Sequence, residues 1–154
     1  MPESDFAVGN GEDIMINIMD SILKIILAVF LGLIVGLERE KSHKPAGLRT
    51  HILVTLGSTV ITIVSLTFVT DSARLASTII TGIGFVGAGT IIASGKNIIG
   101  LTTAANLLVM SAIGIAIGVG EYALAIITGF VVLLVLVFGK AEKEEKVNNQ
   151  ERKN

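Results

Sequence analysis

Cysteine and tryptophan are absent from this 154-residue chain, proline occurs twice, and only 16% of the residues are charged. Without cysteine there is no disulfide, no thiolate metal site and no thiol nucleophile. The shortage of charge excludes more. Soluble domains average about 25% charged residues, whereas here 51% of the residues are hydrophobic and the mean hydropathy is +0.78. That balance points to a lipid solvent. Aromatic residues make up only 5%, and with neither an aromatic-basic surface nor a soluble domain, nucleic acid is not an expected partner. The net charge of −1 identifies no partner either. Where the charges fall is more informative.

A bilayer core of about 30 Å takes about 20 apolar residues of helix. Five stretches approach that length, at residues 22–37, 52–69, 75–93, 101–118 and 122–138. The first can draw on residues 14–19, and the second can begin at Leu48. The expected fold is therefore all-α, a polytopic transmembrane bundle of five spans with short links between antiparallel neighbours. Residues 1–21 form an acidic tail that lacks the basic start of a signal peptide. Residues 22–139 form the membrane domain, and residues 140–154 a mixed-charge tail unable to build a core. No internal repeat is present.

Lysine and arginine set the direction. Ten fall on one side, at Arg39, Lys41, Lys44, Arg49, Lys96 and five positions after residue 139, against Arg74 alone on the other. The N-terminus is expected outside and the C-terminus in the cytoplasm. Ser72→Cys in this cysteine-free chain should react with an impermeant thiol reagent added to intact cells, and Ser42→Cys should not. The reverse labelling would overturn the orientation.

The one long link, GLEREKSHKPAGLRTH at residues 36–51, gathers acids, bases and both histidines. Lys41 and Lys44 serve as topological anchors, but Glu38 and Glu40 contribute little to orientation. At 100° per residue, Arg39 and Glu40 flank the Gly32/Gly36 stripe of the first helix, a small-xxx-small pair suited to close helix approach. Arg49 could reach the same place. The plain alternative is a solvated salt-bridge cluster at the interface. His43 and His51 lack metal-ligand spacing and read as interfacial.

In the third stretch, GIGFVGAG at residues 82–89 contains a match to a dinucleotide-binding fingerprint. No strand precedes it and no acid follows before Glu121, so the context rejects nucleotide binding. Gly82 with Gly89, and Gly84 with Gly87, suggest two packing faces and hence a central, buried helix; backbone exposure to a ligand is the other reading. Thr102, Thr103 and Asn106 open the fourth stretch as interhelical glue or as an ion site at a helix start. Gly114 and Gly118 add a second close-packing pair. Asp71 is placed to cap the third helix, and Arg74, where the helix dipole disfavours a cation, needs a partner. No nucleophile–base set, phosphate loop or metal-ligand cluster is visible, so neither an enzyme nor a resident cofactor is expected.

Taken together, GLIVGLERE, KPAGLRTHILVTLGS, GIGFVGAGTII and GLTTAANL resemble the MgtC/SapB family of membrane proteins, in order and spacing over residues 20 to 139. The resemblance implies a multi-pass protein of the plasma (inner) membrane linked to growth at low magnesium and, in some pathogens, to virulence. It raises the functional interest of Glu38, Arg39, Arg49, Thr50, Asp71, Arg74, Thr102 and Thr103. Two activities are compatible with it. The bundle could bind or pass Mg²⁺, which prefers oxygen ligands, through Glu38, Glu40 or Asp71. Or it could regulate another membrane complex, such as ATP synthase, by docking against it, and a homo-oligomer is a further expectation. Longer members carry a soluble domain after the fifth span, where this sequence has its charged tail.

Overall fold

The computed structural model describes residues 11–66, 72–94 and 97–151. Its helices are α1 (Gly11–Lys41), α2 (Leu48–Ser65), α3 (Ser72–Gly89), α4 (Leu101–Val119) and α5 (Tyr122–Glu151), with a two-stranded hairpin, β1 (Ile92–Ser94) and β2 (Asn97–Ile99), between α3 and α4. The fold is thus all-helical apart from that hairpin. Among the described residues, four helical stretches are long and apolar enough to cross a membrane: Asn17–Lys41, Leu48–Ser65, Leu101–Val119 and Tyr122–Gly139. The apolar part of α3, Ala76–Gly89, is shorter.

Element ends follow from local chemistry. α1 begins well before the expected first span and runs on through Glu38, Arg39 and Glu40. It closes with a Schellman arrangement in which His43 donates to the Glu40 carbonyl and Lys44 to that of Arg39, with His43 in the left-handed region at φ 50°. Pro45 follows, where the chain must leave the helix. α2 has no side-chain cap on its own Gly47. Instead Glu40 Oε2 reaches across the turn and accepts the Leu48 amide at 2.8 Å. α4 ends the same way as α1, through left-handed Gly120. α5 continues as helix to Glu151, through the mixed-charge stretch that follows its apolar part. Its alanine, glutamates and lysines are strong helix formers, so helix can propagate past the apolar part without a core.

The expected third span, residues 75–93, is cut short. α3 stops at Gly89, Thr90 Oγ1 donates to the Gly87 carbonyl, and Ile92 and Ala93 belong to β1, paired with Ile99 and Ile98. Gly100 makes this possible. Its φ is +97°, and a Cβ there would lie 1.9 Å from the Thr90 carbonyl oxygen.

The central helix is α4 rather than α3. Half of the α4 span is buried, against 33% for α2 and 22% for α1 and α5. One side of α4 meets an apolar layer formed by Ala28, Leu31 and Val35 of α1 and Ala125 and Leu136 of α5. The other side meets α2, whose buried residues are all polar: His51, Thr55, Ser58, Thr59, Thr62 and Ser65. α2 shows Leu53, Val60, Ile61 and Val64 outward. This inversion suits a helix whose solvent is lipid, because hydroxyls then gain by facing protein.

Glycine sets how closely these helices meet. A Cβ on Gly32 or Gly36 would stand 2.8 Å from the Cα of Ile52 or Leu48, and one on Gly114 or Gly118 2.5 Å from Thr55 O or Thr62 Cβ. The glycines of α3 behave otherwise. Gly87 meets Ala104 at 3.4 Å, but a Cβ on Gly82, Gly84 or Gly89 meets nothing within 4 Å. Phe85 of α3 is 78% exposed. The expectation of a wedged, central third helix is corrected: only Gly87 lies at a close approach within this chain.

Candidate functional site

The end of the bundle that holds the α1–α2 turn and the start of α4 carries the densest polar contacts. Arg39, on the last turn of α1, is 3% exposed and donates from Nη2 to Thr103 Oγ1 at 2.9 Å. Thr103 and Asn106 are three residues apart on α4 and both buried. Asn106 Nδ2 lies 2.8 Å from His51 Nε2, and His51 Nδ1 lies 2.8 Å from the Gly47 carbonyl oxygen. A carbonyl can only accept, so Nδ1 carries the proton and Nε2 accepts from the asparagine. His51 is therefore a neutral imidazole, fully buried. It sits in the first turn of α2, on the packed face, where its Cβ would lie 3.2 Å from one on Gly36.

Glu38 is half-buried beside this group. Its Oε1 accepts from Ser42 Oγ at 2.8 Å, while its Oε2 and Arg39 Nε are buried with no hydrogen-bond partner among the described residues. Glu40 is exposed and spends an oxygen on the α2 amide. Of the other expected residues, Thr102 is exposed, one step of 100° away from buried Thr103. Arg49 is exposed too, because it lies two residues, or about 200°, from inward-facing His51 on α2. With Thr50 it lines an open groove of about 550 Å³ between α2 and α3. Arg74 is exposed in the first turn of α3. Asp71 lies outside the described residues. The structure thus joins Arg39, Thr103 and Asn106, and leaves Arg49, Thr102 and Arg74 apart from them.

Sequence reading missed His51 and the hydroxyl ladder below it. Thr55 donates to the His51 carbonyl, Thr59 to those of Thr55 and Gly114, Thr62 to Ser58, and Ser65 to Thr62. The signal was present, since positions 51, 55, 58, 59, 62 and 65 share one helical face. At the opposite end, Asp20 accepts from Tyr122 Oη and pairs with Lys24 at 2.7 Å, tying α1 to α5. Among the described residues no group of three His, Asp or Glu side chains is placed to hold a metal ion. Of the acids named as possible Mg²⁺ ligands, Glu38 accepts from Ser42 and Glu40 from the Leu48 amide, each through one oxygen, and Asp71 lies outside the described residues.

A model of the MgtC family matches residues 25–144, most of the chain and all of this cluster. The chain belongs to the MgtC family. It is 44% identical over 125 residues to YhiD of Escherichia coli (strain K12), proposed by its name to be a magnesium transporter; that match covers 75% of this chain and 58% of YhiD. Identity is 38% over 128 residues to protein MgtC of Salmonella typhimurium (strain LT2), covering 82% of this chain and 55% of that protein. Protein SapB of Bacillus subtilis (strain 168) is 36% identical over 130 residues, at 77% and 56% coverage. The chain spans somewhat over half the length of these curated relatives. No solved structure matches it. Family membership and four span-length apolar helices make it a multi-pass protein of the plasma membrane.

Proposed function

We propose that this MgtC-family chain serves magnesium homeostasis from within the plasma membrane, as a regulator of another membrane complex and not as a conduit for the ion. The similarity to YhiD and MgtC supports the magnesium connection. The choice of mechanism rests on one observation: the polar interior is closed. Gly114 and Gly118 bring the α4 backbone directly onto Thr55, Ser58, Thr59 and Thr62, and Thr59 is bonded to the Gly114 carbonyl at 3.0 Å. Mg²⁺ dehydrates reluctantly and keeps several waters, for which this seam has no room. At the end of the seam stands Arg39, a buried cation that repels a second cation. In this reading the Arg39 end faces the cytoplasm, as the lysine and arginine bias expects.

A specific feature favours transport as a second reading. The ladder from His51 to Ser65 covers 15 residues, a rise of about 21 Å, and its hydroxyl oxygens keep lone pairs that a cation could use if α2 and α4 parted. One reconstitution separates the two. The chain alone, in liposomes loaded with a magnesium-sensitive dye, should admit Mg²⁺ no faster than protein-free vesicles. Saturable entry that is lost in Thr59→Val would overturn the regulator reading and establish transport.

A further inference from the structure

The groove between α2 and α3 flanks the polar face of α2, with which it shares Ser58, and does not depend on any role in magnesium homeostasis. It runs from Arg49 and Thr50 to Ile61 along α2, with Ile79, Gly82 and Ile83 on the α3 wall. Those twelve steps make about 18 Å of helix, the reach of an extended acyl chain. The volume of about 550 Å³ is within the range, roughly 300–1,000 Å³, of sites that enclose a ligand. Two glycines, Gly57 and Gly82, keep the groove open: a Cβ on either meets nothing within 4 Å. Away from the mouth the lining is mainly aliphatic, with the hydroxyls of Ser58 and Thr78 its polar groups. At the mouth Arg49 is exposed and, among the described residues, has no carboxylate within 4.0 Å.

We propose that this groove is a binding site for one anionic phospholipid, its phosphate held by the Arg49 guanidinium and an acyl chain laid between α2 and α3. The bilayer supplies the occupant, and the charge at the mouth selects it. A guanidinium matches a phosphate with two parallel N–H donors. Thr50, beside it, offers a hydroxyl to the headgroup. A zwitterionic lipid brings its own ammonium and gains less from the pairing. Lys41, exposed at the end of α1, and Lys44, exposed in the turn after it, raise the local potential without lining the groove.

The full chain in detergent can be titrated with phosphatidylglycerol, phosphatidylethanolamine or inorganic phosphate, with bound lipid counted by native mass spectrometry and the melting temperature followed in parallel. One phosphatidylglycerol should bind per chain, about tenfold more tightly than phosphatidylethanolamine, the scale of one charged hydrogen-bonded pair. Arg49→Gln should bring the two lipids to equal affinity, and Lys44→Gln should leave the preference intact. Gly57→Leu fills the groove and should weaken both lipids without lowering the lipid-free melting temperature. Gly82→Leu, on the opposite wall, provides the same test should the first variant fold poorly. Equal affinity for the two lipids in the unmodified chain, a preference that survives Arg49→Gln, or unchanged binding in both leucine variants would overturn the proposal. So would a stabilisation by inorganic phosphate matching that by phosphatidylglycerol, which would show a small-anion site instead.

Discussion

Gly114→Leu should remove most folded protein from the membrane, while Gly84→Leu leaves its amount and melting temperature unchanged. Even the first added carbon at position 114 would lie 2.5 Å from the Thr55 carbonyl oxygen and 2.7 Å from Ser58 Cβ. The Thr55 oxygen is backbone of a packed helix and cannot rotate away. Relief requires α4 to move off α2, which breaks the Thr59–Gly114 hydrogen bond and parts the hydroxyl ladder from its cover. Overpacking a core costs about 1–3 kcal/mol, and with two backbones in contact the cost lies at or above the top of that range. At about 1.4 kcal/mol per tenfold, a loss of about 3 kcal/mol lowers the folded-to-unfolded ratio more than a hundredfold, and a larger clash between two backbones prevents the helices from docking at all. At Gly84 the new side chain enters open space on the lipid-facing side of α3. Yield of monodisperse protein in mild detergent reads both results. Normal yield and melting temperature for Gly114→Leu would show that α2 and α4 do not meet in this way.

The contrast between these glycines marks what a sequence can reveal about a membrane bundle. A small residue shows where two helices could approach closely, but not whether a partner is there. Gly32 and Gly36, like Gly114 and Gly118, would each bring a Cβ to 2.8 Å or less from a neighbouring helix, Gly87 of α3 to 3.4 Å, while Gly82, Gly84 and Gly89 of the same glycine-rich helix meet nothing within 4 Å. Helix positions were legible because apolar length is dictated by the bilayer. The hairpin at Ile92–Ile99 was not, since three-residue strands are too short for any period to emerge and the left-handed demand at Gly100 leaves no trace beyond a glycine.

In the polar cluster, depth could be read and azimuth only in part. Arg39, Arg49, Thr102 and Thr103 lie near one end of the bundle, yet single steps of 100° along a helix send Thr103 inward and Thr102 outward. His51 was obscured by its neighbours, the basic residues of the turn, which made an interfacial position the natural reading. Its true company is the serine and threonine face of α2. In a soluble protein such a face would be the solvated one; here lipid as solvent reverses the sign, and the apolar side of the same helix is exposed.

That reversal bears on Arg39, whose replacement should separate stability from function. Arg39→Met is expected to fold to at least the unmodified melting temperature and yet fail to restore growth in low magnesium. Arg39 is 3% exposed and has one protein hydrogen bond, to Thr103, with its Nε unpaired among the described residues. Burying a charge costs several kcal/mol even after relaxation, and a hydrogen bond to a charged group returns only about 1.5–3 kcal/mol. A methionine of similar length removes the charge, fills the space and leaves Thr103 free to bond within its own helix. Glu38, half-buried alongside, would lose the opposite charge of its neighbour, so Glu38→Gln combined with Arg39→Met should be the more stable of the two variants. An ionisable group kept inside a membrane bundle at such a cost is expected to act and not merely to hold. Arg39→Lys, which keeps the charge but not the fork, should rescue growth partly. Full rescue by Arg39→Met would reduce the cluster to packing, and a large loss of melting temperature would show that the arginine holds the bundle together.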